Sequence, residues 1–525
     1  MEFLEGIEPR DYQKAICETC REKNCLVVLP TGLGKTLIAL MLTIERMKKF
    51  PGDKVLFLAP TRPLCEQHIN SFKKHLPELF GDMQLFTGSV SSEKRKKIFR
   101  TADIIFSTPQ CIANDLKKEF YKLDEVCLLV EDEAHRCVKN YDYNYVANRY
   151  KSQRDEDERI VGLTASPGSD KKKIMDICKN LFIEDVEVRT RESLDVKEYL
   201  QELTFQKEEV KFPAQLLEVK KILEKIYYLY VDELKTRRVL YGPVGKVALI
   251  RLQQRLMASL KRGNKNFNEM LAVSACAQAI KISHAIDLVE TQTVGGLQLY
   301  FKKLFSEAAS HKSKGVVRLV KRPEFNLAYS MICEILSRGE EHPKLARLDE
   351  IIREEQAREK KFRIIVFTQF RDTALIIEQN LNKIDGVCAK VFVGQAKKNG
   401  SGLSQKEQKK IIEEFSAGEV NVLVATSIAE EGLDIPEVNS VIFYEPVASA
   451  IRSIQRRGRT ARLSKGKLIM LITKDTKDEA YYFIAISREK KMGRVIDEIK
   501  GEYRRGVETP GGRVEGSGAD VQKTL

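Results

Sequence analysis

What this chain lacks narrows its class first. No tryptophan occurs in its 525 residues, an absence that by itself excludes no fold. No apolar run is long enough to span a bilayer, and the acidic start Met1-Glu-Phe-Leu-Glu-Gly-Ile-Glu-Pro-Arg10 has no signal-peptide core, so no membrane partner is expected. The 6 histidines form no His-Glu-x-x-His pair and no zinc-finger spacing. The 11 cysteines are scattered, and Cys25, Cys127, Cys276 and Cys333 sit in apolar runs where a buried free thiol is the ordinary state. One tight pair exists, Cys17-Glu-Thr-Cys20, but no second pair completes a zinc site. This usage points to a reducing, intracellular compartment: cytoplasmic or nucleoid-associated, or nuclear in a eukaryote.

What is present is charge and length. With 89 Lys+Arg against 75 Asp+Glu, the formal net charge is +14, which permits a polyanionic partner. A chain with 43% hydrophobic and 31% charged residues is a soluble globular one, and 525 residues exceed what one core holds together.

Short apolar runs alternate with helical stretches from Cys25 onward: Cys25–Leu29, Val55–Leu58, Ile104–Phe106, Val126–Val130 and Ile160–Leu163. Continuous rather than alternating apolar strands predict a parallel sheet covered on both faces, a doubly wound α/β domain. The same grammar returns at Ile364–Phe367, Val391–Val393, Val420–Val424, Val441–Tyr444 and Leu468–Ile472. Between the two sets the strand signal fades and helical spacing dominates, with frequent Lys and Arg. The expected division is an α/β domain over 1–195, a helical insert over 196–339, a second α/β domain over 340–500 and a flexible tail over 501–525.

Two short motifs carry chemistry. Leu29-Pro-Thr-Gly-Leu-Gly-Lys-Thr36 follows a strand and opens a helix, the context of a phosphate loop, although Leu29 stands where the strict pattern has glycine. Backbone amides from Gly32 to Thr36 would cradle β- and γ-phosphates, Lys35 would neutralise them, and the Thr36 hydroxyl would bind Mg²⁺. The ordinary alternative is a strand-to-helix turn. Val130-Glu-Asp-Glu-Ala-His135 ends another apolar strand, which suits Asp132 to the metal and Glu133 to activating water; the ordinary alternative is a solvated acidic turn.

Together these strings resemble the superfamily 2 helicases, whose phosphate loop tolerates a non-glycine first position. That resemblance implies two RecA-like domains, ATP and Mg²⁺ as cofactors, and roles for further residues. Pro9-Arg-Asp-Tyr-Gln13 resembles the adenine-reading motif, with Arg10 and Gln13 joining Pro30, Thr31, Gly32, Leu33, Gly34, Lys35 and Thr36 in binding nucleotide. Ala59-Pro-Thr-Arg-Pro-Leu64, Phe86-Thr-Gly88 and Ser107-Thr-Pro-Gln110 resemble strand-tracking motifs, implying nucleic-acid contacts from Pro60, Thr61, Arg62, Thr87, Gly88, Thr108 and Pro109. Thr164-Ala-Ser166 resembles the motif that couples hydrolysis to the nucleic-acid site. In the second half, Ile365-Val-Phe-Thr-Gln-Phe370 and Ala425–Pro436 add Gln369 and Thr426 for nucleic acid and Gly432 and Asp434 for nucleotide. Gln455-Arg-Arg-Gly-Arg-Thr-Ala-Arg462 implies catalytic Gln455 with Arg459 and Arg462 as arginine fingers, beside Lys35, Asp132 and Glu133. A basic surface helix is the plainer reading of that run.

A helical insert between the motor domains is similar to the archaeal Hef and eukaryotic FANCM/Mph1 branch, which implies an ATP-dependent DNA helicase moving 3′ to 5′ on forked or branched DNA in replication-fork repair. Protein partners are not implied by any motif. Two rivals share the motif set: a double-stranded-RNA-stimulated ATPase of the RIG-I-like type, and a clamp that uses ATP to switch shape. Archaeal Hef proteins carry an XPF-type nuclease with a Glu-Arg-Lys-x-x-x-Asp site; Ser487-Arg-Glu-Lys-Lys491 is the nearest string here and lacks both the order and the following Asp. The chain is therefore expected to be a helicase fragment ending in a linker or a nuclease-free relative, without nuclease activity.

Overall fold

The structure, a computed structural model, describes residues 3–139, 141–154, 157–199, 203–242, 244–262, 266–311, 313–359, 361–394, 402–426, 435–449 and 466–505. Seven strands build the first sheet: β1 (Cys25–Val28), β2 (Lys54–Leu58), β3 (Met83–Phe86), β4 (Ile104–Ser107), β5 (Val126–Asp132), β6 (Ile160–Thr164) and β7 (Asp185–Val188). They run parallel in the order β3-β4-β2-β5-β6-β1-β7. Strands β1, β2, β4, β5 and β6 are buried along their whole length because helices cover both faces, hence their unbroken apolar runs. The two edge strands are only part-buried, and a half-exposed strand leaves no such run to read.

The second sheet contains β8 (Leu203–Val210), β9 (Ile364–Phe367), β10 (Ala389–Phe392), β11 (Val422–Ala425), β12 (Ser440–Phe443) and β13 (Gly466–Thr473), all parallel in the order β10-β11-β9-β12-β13-β8. Here β8 departs from the sequence-based division. Leu203–Val210 lies in the stretch expected to be helical, yet it pairs residue by residue with Gly466–Thr473 at the edge of this sheet. Its sequence, LTFQKEEV, is polar because the outer side of an edge strand faces water.

The helical bundle is thus inserted within the second α/β domain, between β8 and β9. Helices Ala214–Thr236, Lys246–Lys261, Phe267–Thr291, Val294–Ala309, Lys314–Val320 and Pro323–Ser337 share one apolar core that includes Leu223, Cys276, Ile282, Phe301 and Phe325. Polar bonds fix the bundle to the second sheet. Glu341 caps the start of Val294–Ala309 by accepting from the Val294 and Gly295 amides at 2.7 and 2.6 Å. Buried Lys344 donates to the Thr291 carbonyl at 2.6 Å and to Asp478 at 2.7 Å.

The last helix, Lys477–Arg504, also departs from expectation by running past residue 500. It starts in the second domain and ends on the first, where Met492, Val495, Ile496 and Ile499 join the core beneath β7 and the helix Lys171–Asn180. Lys171 pairs there with Glu498 and Glu502, and the Ser166 hydroxyl lies 3.0 Å from the Met492 sulfur.

Candidate functional site

Every sequence-predicted site residue of the first domain before Thr164 that belongs to a loop or strand end, other than Arg10 and Gln13, falls at the carboxyl edge of the first sheet, where open parallel sheets bind ligands. The edge has two halves set by strand order. The loop after β1 and the ends of β5 and β6 carry Leu29–Thr36, Asp132, Glu133 and Thr164. The ends of β2, β4 and β3 carry Pro60, Thr61, Arg62, Thr108, Pro109, Thr87 and Gly88. Because β2 neighbours β5, the halves meet at Asp132.

The loop between β1 and helix Lys35–Lys49 turns on Gly32 and Gly34, with φ of 85° and 77°. Both angles are left-handed, the region glycine enters without a Cβ penalty. At Gly34 a Cβ would also sit 2.4 Å from the Gln13 amide nitrogen. That amide donates to the Leu33 carbonyl at 3.0 Å, as does the Tyr12 hydroxyl at 2.9 Å, while Gln13 Oε1 accepts from the Arg10 amide. Gln13 is therefore tied to the loop at one end and to the N-terminus of its own helix at the other. Arg10 lies over the Tyr199 ring and reaches the Tyr12 hydroxyl. Lys35 folds back over the loop, its Nζ 2.9 Å from the Leu29 carbonyl.

Opposite this loop, β5 delivers Asp132, which is 5% exposed. Burial alone pushes its carboxyl up, yet the hydrogen bond from His68, then Lys35 and the Glu133 amide, hold it below the ordinary carboxylate range. His68 Nε2 donates to Asp132 Oδ2 at 2.8 Å, and its Nδ1 lies 3.4 Å from the Thr36 hydroxyl. One imidazole thus bridges the two side chains expected to hold a metal. Both offer hard oxygen donors, an ionised carboxylate and a hydroxyl beside a helix N-terminus, which fits Mg²⁺. Glu133 follows with φ 54°, a strained angle for a side-chain-bearing residue. Its carboxylate meets His135 Nδ1 at 3.2 Å, and the same nitrogen lies 3.3 Å from the Thr164 hydroxyl on β6. The chain from Glu133 through His135 to Thr164 leads on to Ser166 and the last helix.

The neighbouring Glu131 points the other way along the strand. It is fully buried, and burial pushes its carboxyl up to about 8 against a hydrogen bond from Cys137 that favours the charged form.

In the other half of the edge, Thr87 is buried with its hydroxyl 2.7 Å from Ser89, and its carbonyl accepts from Arg95. Arg95 is locked by two bonds to Asp115, at 2.7 and 2.5 Å. Gly88 is exposed with open space around it. Arg62 is exposed and paired with Glu66, and Thr108 reaches the Cys111 sulfur. In the second domain, Gln369 and Thr426 sit just beyond β9 and β11, again at carboxyl ends; the Gln369 amide donates to the Glu445 carboxylate and the Thr426 amide to the Phe392 carbonyl. Gly432, Asp434, Gln455, Arg459 and Arg462 lie outside the described residues. Cys17 and Cys20 are buried free thiols, and among the described residues no cluster of three or more His, Cys, Asp or Glu could hold a metal. No helix among the described residues is long and apolar enough to cross a membrane.

Sequence reasoning passes over His68. Its signal was its spacing: it falls on the stripe of Leu64, Cys65, Ile69 and Phe72 in helix Arg62–His75, so it had to face the sheet.

Comparison with known proteins adds to this geometry. The family described as "DEAD/DEAH box helicase" matches residues 10–174, "Helicase conserved C-terminal domain" matches 343–464, and "Putative ATP-dependent RNA helicase, helical bundle" matches 215–342. The crystal structure of the Pyrococcus furiosus Hef helicase domain superposes with a TM-score of 0.69 at 44% identity, covering 92% of this chain and 99% of that one. A Methanocaldococcus jannaschii protein named "Putative ATP-dependent RNA helicase MJ1505" is 38% identical over 94% of this chain and 61% of its own length. "ATP-dependent DNA helicase fml1" of Schizosaccharomyces pombe is 32% identical over 90% of this chain and 57% of its length. The chain thus spans about six-tenths of these two curated relatives.

Proposed function

Because the chain belongs to the superfamily 2 DEAD/DEAH-box helicases, close to the Hef helicase domain, we propose that it is an ATP-driven DNA helicase or translocase that moves 3′ to 5′ on forked or branched DNA and serves replication-fork repair. The observation that carries the reading is the convergence of Thr36 and Asp132 on opposite sides of one buried imidazole, beside Lys35 and Glu133.

In this reading the amides of Gly32 to Thr36 hold the β- and γ-phosphates, and Lys35 leaves the Leu29 carbonyl to pair with them. Gln13 and Arg10 bracket the adenine. Thr36 and Asp132 would hold Mg²⁺, which supplies charge neutralisation at the phosphates. Glu133 takes the proton of the attacking water. Gln455, Arg459 and Arg462 close from the second domain with Gly432 and Asp434, and opening and closing of the two domains drives stepping. Pro60, Thr61, Arg62, Thr87, Gly88, Thr108 and Pro109, with Gln369 and Thr426, grip the backbone of one DNA strand, so binding is weakly sequence-specific and strongly salt-dependent. An intracellular site of action, with DNA as partner, follows from this reading.

The test is ATP hydrolysis with no nucleic acid, linear duplex DNA, forked DNA and double-stranded RNA, with Glu133→Gln alongside. Forked DNA is expected to stimulate most, and the variant to lower kcat by about 10²–10⁴-fold. The similarity to a protein and a helical-bundle family both named as RNA helicases keeps a double-stranded-RNA-stimulated ATPase as the second reading. Stimulation by RNA alone selects it, and a rate indifferent to every polynucleotide refutes both.

A further inference from the structure

We propose that His68 is a positioning residue that orients both oxygen ligands of the divalent cation at once, a role that rests on the nucleotide site described above. His68 is 6% exposed and its ring lies tilted by 38° against Phe57, centroids 4.4 Å apart, so it has little freedom to turn. Its two nitrogens point at two different elements: Nε2 to Asp132 Oδ2 on β5 at 2.8 Å, and Nδ1 to the Thr36 hydroxyl on the first turn of helix Lys35–Lys49 at 3.4 Å. A buried imidazole needs a partner at each nitrogen, and here both partners are oxygen groups placed to hold one cation.

The hydrogen-bond directions explain the arrangement. In the neutral ring, Nε2–H donates to Asp132 and Nδ1 is then an acceptor. A threonine hydroxyl that turns a lone pair toward a cation must send its proton to an acceptor, and Nδ1 is in place to take it. The same ring fixes the outer oxygen of the carboxylate and leaves the other one to the metal. Such outer partners set ligand orientation at metal sites generally. His68 also sits on the helix that begins at Arg62, in the half of the sheet edge assigned to nucleic acid. A shift of that helix would therefore move both metal ligands together.

The experiment compares the full chain with His68→Phe, which keeps a packed ring without nitrogens, and His68→Gln, which offers a donating NH2 group and an accepting carbonyl oxygen. Mn²⁺ serves as the probe and is titrated into the ADP complex by electron paramagnetic resonance, with ADP affinity measured separately in EDTA. His68→Phe is expected to weaken Mn²⁺ binding about 10-fold or more, the range that outer partners command, while His68→Gln stays within about 3-fold of the parent. ADP affinity without metal is expected to match in all three. Should His68→Phe not fold, His68→Leu carries the same expectation. Equal Mn²⁺ affinity in the Phe variant overturns the proposal, and so does an equal loss of metal-free ADP affinity, which would mark a structural role. If the parent itself binds no Mn²⁺ with ADP, the assignment of Thr36 and Asp132 fails and takes this role with it.

Discussion

Lys344→Met tests the junction on which the whole second half depends. Lys344 and Asp478 are both fully buried and paired at 2.7 Å. The same ammonium donates to the Thr291 carbonyl of the bundle at 2.6 Å and lies 4.8 Å from the centre of the Tyr444 ring. Asp478 also accepts from the Thr473 amide at the end of β13, at 3.1 Å. One cation thus joins the bundle, the helix Pro343–Arg358 and the base of the last helix. Methionine preserves length and apolar volume but leaves a carboxylate buried without its partner. Losing one member of such a pair costs about 3–5 kcal/mol. At about 2–4 °C per kcal/mol, the calorimetric transition of the second domain should fall by roughly 6–20 °C. Burial already holds the Asp478 carboxyl above its ordinary value, with Lys344 opposing that shift. Without Lys344 the carboxyl rises further, so its folded form keeps a proton to higher pH. A raised carboxyl stabilises below the unfolded value and loses that contribution as pH climbs, so the deficit must be larger at pH 8 than at pH 5. Adding Asp478→Asn removes the stranded charge while keeping an acceptor for Thr473, and should recover about 2 kcal/mol or more of coupling. A shift under about 2 °C, or one equal at both pH values, refutes the reasoning.

Glu131 supplies a second pH test. Its folded carboxyl lies near 8 against an unfolded value near 4.5, so its stabilising contribution is complete at low pH and fades as pH rises between those limits. Glu131→Gln should gain on the parent by about 1.4 kcal/mol per pH unit across that window, and parallel melting curves would count against a neutral buried acid. Gly34→Ala forces a Cβ into a φ of 77° and against Gln13, so nucleotide binding should weaken about 5- to 30-fold for a conformational cost of about 1–2 kcal/mol. Unchanged affinity would show that the loop does not keep this turn when nucleotide binds.

The interior strands, the glycine turn after β1 and the acidic pair at the end of β5 were legible in the sequence because each rests on local physics. A strand covered on both faces must be apolar throughout, as in Val126–Val130, and a tight loop with left-handed angles needs glycine, as at Gly32 and Gly34. Three features were settled only by tertiary structure. Leu203–Val210 carries an edge-strand sequence with no apolar run, and only the free edge of β13 gives its backbone a partner. Lys477–Arg504 presents helical residues that could end anywhere, and its last turns are fixed by the groove beneath β7 that receives Ile496 and Ile499. His68 reads as one more residue of a buried stripe, and its meaning comes from two segments brought to either side of its ring, Thr36 in sequence far before it and Asp132 far after. Periodicity and turn chemistry are properties of neighbours in the chain. Pairing across a sheet edge, packing between domains and the sharing of one imidazole by a hydroxyl and a carboxylate are properties of residues that meet only when the chain has folded.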